Sequence, residues 1–213
     1  MDLGLMVTVF VTIFLVELPD KTFIATLVLA TRYRPILVWI GVCAAFLVQT
    51  VVAVAFGGLI GRLPEKPVHA VVMVLFAIAA VLLIRGAKDA AAEEAETEEE
   101  FAEKATAPAS GFHAITASFL ILFLAEWGDL SQLATAGFVA KSGGGLGNAL
   151  SVGIGAFLAL AVVSGLAVLL GRKLLDYVPL SIIRFVGGLV CALFAVLLAL
   201  QLLGVSLPSW LPF

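Results

Sequence analysis

Phe14-Leu15-Val16-Glu17-Leu18-Pro19-Asp20-Lys21-Thr22-Phe23-Ile24-Ala25-Thr26 and Phe123-Leu124-Ala125-Glu126-Trp127-Gly128-Asp129-Leu130-Ser131-Gln132-Leu133-Ala134-Thr135 are two copies of one pattern. Phe, Leu, Glu, Asp, a hydroxyl, Ala and Thr match at a constant offset of 109 residues. Each copy sets a Glu and an Asp in the middle of a long apolar run. Their spacing of three puts the two carboxylates one turn apart on the same helix face, about 60° from each other, where both can reach one ion. Between the acids stand Pro19 and Gly128, residues that interrupt a helix and expose carbonyl oxygens.

The surroundings of these motifs are those of a membrane protein. The chain has 213 residues, 62% hydrophobic and 13% charged, against roughly 45–50% and 25% in soluble domains. A domain of this length has too little interior to hide so much apolar surface, whereas a bilayer accepts helices that are apolar all round. A disordered tail, a small secreted scaffold and a nucleic-acid binder are excluded, the last because a net charge of −3 leaves no basic surface for phosphates. Cys43 and Cys191 lie far apart inside apolar runs and read as small buried hydrophobes.

Apolar stretches long enough to cross the hydrocarbon core occur at 3–31, 36–60, 68–86, 114–141, 147–171 and 180–205. The predicted fold is therefore an all-α membrane protein with six transmembrane helices. Charged breaker segments such as Arg32-Tyr33-Arg34-Pro35 and Asp176-Tyr177-Val178-Pro179 separate the runs. The plainly aqueous segment is 87–113, with Glu93, Glu94, Glu96, Glu98, Glu99, Glu100 and Glu103, read as a solvated, partly helical tether. It divides the chain into a first three-helix repeat (1–86), an acidic cytoplasmic linker (87–113) and a second three-helix repeat (114–213). An odd number of spans per half makes the second copy enter the membrane in the opposite sense, the inverted-repeat plan of many transporters. The start of the chain lacks the basic region and cleavage site of a secretory signal, so the first helix is expected to belong to the mature protein. Arg32, Arg34, Arg85, Lys88, Lys104, Arg172, Lys173 and Arg184 fall on one side, and Arg62, Lys66 and Lys141 on the other. That bias puts the linker in the cytoplasm and both termini outside, in a membrane expected to be the bacterial plasma membrane.

Glu17, Asp20, Glu126 and Asp129 thus lie at membrane depth. A charge there costs on the order of 2.5–3.5 kcal/mol by insertion scales, so such groups face a polar cavity and mark an ion or proton path. Lys21 is the one cation at that depth and cannot balance four acids; it is either a resident cation of the metal-free site or a partner of Glu17. Thr22, Ser131 and Gln132 add neutral oxygen donors, Thr26 and Thr135 read rather as bonding backbone carbonyls, and Gln49 stands open between packing and ligation. His69 and His113 fall at span boundaries, leaving an all-oxygen ligand set suited to Ca²⁺, Mn²⁺ or Mg²⁺. Four ionised carboxylates and Lys21 sum to −3, and a divalent ion leaves −1, so an empty site in a low-dielectric cavity must take up protons. The implied reaction is cation/proton exchange.

At its two motifs the sequence resembles a family once called uncharacterised protein family 16, which includes Golgi, chloroplast and bacterial manganese and calcium transporters. Its signature is Glu-x-Gly-Asp-Lys/Arg-Ser/Thr, twice, in two three-helix repeats of opposite orientation joined by an acidic linker. Carried onto this chain, the resemblance implies a cation site of Glu17, Asp20, Thr22, Glu126, Asp129, Ser131 and Gln132. Pro19 stands where the family has Gly, and Leu130 where it has its second Lys/Arg. The resulting expectation is a secondary transporter, not an enzyme, that exports Mn²⁺ or Ca²⁺ in exchange for protons. No prosthetic group and no nucleic acid are implied, and its surroundings are the lipid bilayer and divalent cations. Two other classes predict different behaviour. An intramembrane hydrolase of a lipid pyrophosphate needs an Arg or His beside the acids, and a structural membrane subunit would show no metal dependence.

Overall fold

The computed structural model describes residues 1–18, 21–105, 111–143, 145–170 and 180–205, and among these every regular element is a helix. In chain order they are α1 (Leu3–Glu17), α2 (Lys21–Arg32), α3 (Pro35–Ile60), α4 (Glu65–Gly86), α5 (Ala90–Lys104), α6 (Phe112–Ala125), α7 (Leu130–Lys141), α8 (Leu146–Leu170) and α9 (Leu180–Leu202). The starts follow from local chemistry. The Asp2 carboxylate accepts from Leu5 N–H at 3.0 Å and caps α1, while Pro35 sits in the first turn of α3, where its missing N–H costs nothing. The breaker Asp176-Tyr177-Val178-Pro179 and the bases Arg172 and Lys173 lie outside the described residues.

Four segments are long and apolar enough to cross a membrane by themselves: Pro35–Ile60, Lys66–Gly86, Leu146–Leu170 and Arg184–Leu202. The first and third, at 26 and 25 residues, extend nearly 40 Å at about 1.5 Å per residue, beyond the roughly 30 Å core. The expected spans 3–31 and 114–141 are not single rods. Each is a pair of shorter helices, α1 with α2 bent by 69° and α6 with α7 bent by 72°. At 15 and 12 residues, α1 and α2 are each too short to cross alone. Counting each bent pair as one span gives six, and counting only the straight helices gives four. The breaks fall on the two motifs, between Glu17 and Lys21 and between Ala125 and Leu130.

The halves interlock. α1 and α2 pack on α8, and α6 and α7 pack on α3, so each broken helix leans on the long helix of the other half. α3 and α8 meet each other at the centre, and α4 and α9 form the most extensive pair. Close approach depends on glycines, and two of them are matched between the halves. A Cβ on Gly41 would strike the Ile115 carbonyl oxygen and Ser118, and one on Gly155 would strike the Met6 carbonyl oxygen and approach Val9. Met6 and Val9 correspond to Ile115 and Ser118 at the same offset of 109 that relates the motifs. Many of the exposed apolar side chains, among them Val51, Phe56, Val71, Leu82, Leu158 and Leu193, belong to the long helices, as expected where lipid replaces water.

The linker departs from a freely solvated tether. Ala90–Lys104 is helical, and Ala90, Phe101 and Ala105 are buried, with Phe101 only 1% exposed. Spacings of eleven and four residues put these three on one stripe, and that stripe lies against α2 and the edge of α9. Exposed acids such as Glu99, Glu100 and Glu103 remain on the outer face, and Lys104 pairs with Glu100 at 2.5 Å. Both cysteines are free thiols, Cys191 buried and Cys43 half-buried.

Candidate cation site

The two broken helices deliver their glutamates to one place. Glu17 is the last residue of α1 and 1% exposed; Glu126 is the C-cap that follows α6 and is 2% exposed. Both carboxylates therefore hang from helix C-termini, where the unpaired carbonyls concentrate partial negative charge. A cation is the natural complement of such a place. Glu17, Gln49, Thr50, Glu126, Ser131, Gln132 and Thr135 line a single cavity, which Phe46, Ala53 and Leu160 close. The centre of a water-sized sphere has about 10 Å³ in which to move there, room for about one water molecule or one bare ion.

Several carbonyls around the second break have identified partners. Leu122 O accepts from Glu126 N–H at 3.0 Å, Phe123 O from Gln49 Nε2 at 3.0 Å, and Ala125 O from Lys21 Nζ at 3.4 Å. Gln132 spans the gap itself. Its Nε2 donates to Glu126 O, and its Oε1 accepts from Gly128 N–H at 3.3 Å. Gly128 turns the chain with φ +82°, a region closed to most side chains. Asp129 then restarts the helix as the N-cap of α7, accepting from Ser131 N–H and Ser131 Oγ at 3.4 Å each.

The residues singled out by sequence fall into three groups. Glu17, Glu126, Ser131 and Gln132 come together in the cavity, with Gln49 beside them. Asp129 and Thr22 are not among its lining residues; Asp129 is half-buried at its cap, and Thr22 is buried in the first turn of α2 with no hydrogen-bond partner for its hydroxyl among the described residues. Asp20 and Pro19 lie outside the described residues. Among the described residues no three His, Cys, Asp or Glu side chains converge as a metal cluster. Thr26 Oγ1 donates to Thr22 O at 2.8 Å and Thr135 Oγ1 to Ser131 O at 2.7 Å, the carbonyl bonding expected of both. Thr135 nevertheless lines the cavity, and so does Thr50, which sequence reading missed. The signal for Thr50 was its place beside Gln49, two polar residues together in the middle of an apolar span. Lys21, half-buried, reaches from the start of α2 to the end of α6 and so ties one break to the other.

Comparison with known proteins agrees with the motif reading. The family model described as divalent cation/proton antiporter GDT1 matches residues 5–91 and 114–205. A GDT1-like protein of Synechocystis sp. is 32% identical over 188 residues, covering 84% of this chain and 89% of the relative. The chloroplastic GDT1-like protein 2 of Oryza sativa is 31% identical, covering 88% of this chain, and the chloroplastic PAM71-homolog of Arabidopsis thaliana 30%, covering 92%. The chain spans 58% of the length of each of these two plant proteins. No solved structure matches.

Proposed function

The chain belongs to the divalent cation/proton antiporter GDT1 family, and from that premise we propose that it exports Mn²⁺ or Ca²⁺ from the cytoplasm in exchange for protons, through the cavity between Glu17 and Glu126. The family is one of transporters, so the chain is an integral membrane cation transporter and not an enzyme. The observation that carries the site is the meeting of two glutamates, 109 residues apart, at the ends of two broken helices around a space for one ion.

In this mechanism Glu17 and Glu126 hold the ion from opposite sides, with the oxygens of Ser131, Gln132 and Thr50 completing a hard, neutral-to-anionic shell. Asp20, Asp129 and Thr22 supply the outer ligands on the two faces of the site, taken up as each break rearranges. Like charges brought together out of water cannot remain ionised once the metal leaves, so protons replace it. The coupling is thus electrostatic and needs no separate proton carrier. The two halves act as inverted repeats. The matched breaks, the matched bends of 69° and 72° and the paired glycine contacts of Gly41 and Gly155 support that reading. Rocking of the broken helices against α3 and α8 would then open the site to one side at a time. The basic bias orients the linker to the cytoplasm and both termini outward, in a bacterial plasma membrane.

The test is flux by the purified chain in liposomes across a panel of divalent ions under an imposed pH gradient. Mn²⁺ or Ca²⁺ should move faster than Mg²⁺ and Zn²⁺, and collapse of the gradient should abolish uphill movement. Equal rates with and without the gradient would overturn the exchange mechanism.

A further inference from the structure

A second cavity, of about 460 Å³, lies at the opposite end of the bundle from α5, lined by Lys66, His69, Lys141 and Gln201 together with Leu63, Val68 and Leu202. Its position follows from the antiparallel packing of α4 and α9. Near the start of α9, Arg184 Nη1 donates to Gly86 O at the end of α4 at 3.1 Å, so the end of α9 returns beside the start of α4. The ends of α3 and α7 complete the rim through Gly61, Ala140 and Gly143.

The chemistry of this cavity is the reverse of that at the cation site. Two lysines and a histidine face it, and among the described side chains no carboxylate does. Lys66 and Lys141 are two of the three Lys and Arg residues that the sequence places on that side of the membrane, the third being Arg62. Gln201 Oε1 accepts from Lys141 Nζ at 3.0 Å and fixes the ammonium at the cavity wall. Its volume is in the range of small-ligand sites, roughly 300–1,000 Å³. The leucines and valine on the same wall suit a ligand with an apolar portion. Basic pockets between spanning helices take anionic headgroups because each ammonium forms charge-assisted hydrogen bonds with phosphate oxygens.

We propose that this cavity binds a phosphate group, presented by an anionic phospholipid headgroup or by a free phosphate, and that Lys66 and Lys141 are its principal contacts. None of its lining residues lines the Glu17–Glu126 cavity, so the site is separate from transport chemistry. Bound there, the ligand ties the end of α7 to α4 and α9, and so bears on the helix that starts at Asp129.

The experiment follows the thermal unfolding of the full chain in zwitterionic detergent during titration with phosphatidylglycerol, phosphatidylcholine or sodium phosphate, the last against sodium chloride at equal ionic strength. Phosphatidylglycerol should raise the Tm saturably while phosphatidylcholine does not. Lys66→Gln and the double variant Lys66→Gln/Lys141→Gln should weaken the midpoint by about fivefold per lysine removed. The same saturation with sodium phosphate alone would identify a free anion as the ligand. Lys66 is exposed, so Lys66→Gln decides the matter if the double variant does not fold. No saturable shift with either phosphate source, or equal midpoints in wild type and Lys66→Gln, overturns the proposal.

Discussion

Gly128 turns the chain at the second break with φ +82°, and a Cβ placed on it would meet nothing within 4 Å. Its requirement for glycine is therefore conformational and not steric packing. Gly128→Ala should cost about 1–2 kcal/mol, seen as a lower Tm in detergent; an unchanged Tm would show that the turn relaxes. The hydroxyls make a sharper comparison. Thr26 spends its donor on the carbonyl of Thr22, whereas Ser131 lines the cavity beside the glutamates. Thr26→Val should leave metal flux within about twofold, at the loss of a hydrogen bond worth about 1 kcal/mol to stability. Ser131→Ala should lower the apparent metal affinity severalfold, and equal effects from both would remove the hydroxyl from the ligand set. At this scale the glutamates were legible because a charge inside an apolar run demands a reason. The cap made by Asp129 and the bridge made by Gln132 were not, since both depend on a full break of the helix. The sequence showed only Pro19 and Gly128 there.

Among the elements, α5 is the clearest case of an overlooked contact. Seven glutamates within 93–103 read as solvated, and Glu96, Glu99, Glu100 and Glu103 are exposed, but Phe101 lies at the spacing that places it on the stripe with Ala90 and Ala105. Removing a buried Phe costs about 3–5 kcal/mol in a packed core, more than a short acidic helix can offset by propensity. Phe101→Ala should therefore release α5 from α2, and limited proteolysis should cut the linker at least severalfold faster than in wild type. Unchanged protection would mean that the remaining contacts hold it. The spans themselves were legible from length and hydropathy, with ends within a few residues of those observed. Pro19 and Gly128 marked where two of them are interrupted, but not how sharply, because a bend of about 70° depends on packing between the halves that no local pattern records. Gly41→Val and Gly155→Val should each destabilise the fold, by about 1–3 kcal/mol or more as an overpacked contact, and to similar degrees if the two halves are equivalent.

For the whole molecule, the apolar exterior and the few buried charges are parts of one arrangement. The bilayer makes the glutamates at the two breaks expensive, and in the proposed mechanism a divalent ion or protons relieve that cost in the cavity between them. The most direct measurement of that exchange records Mn²⁺ efflux and proton entry together in liposomes containing wild type, Glu17→Gln or Glu126→Gln. Wild type should show the two movements rising and falling together. Each amide variant should lose at least about tenfold of both, the scale expected when one charged ligand is removed. Metal movement that persists undiminished in both variants, or that proceeds with no opposing proton movement, would contradict the account.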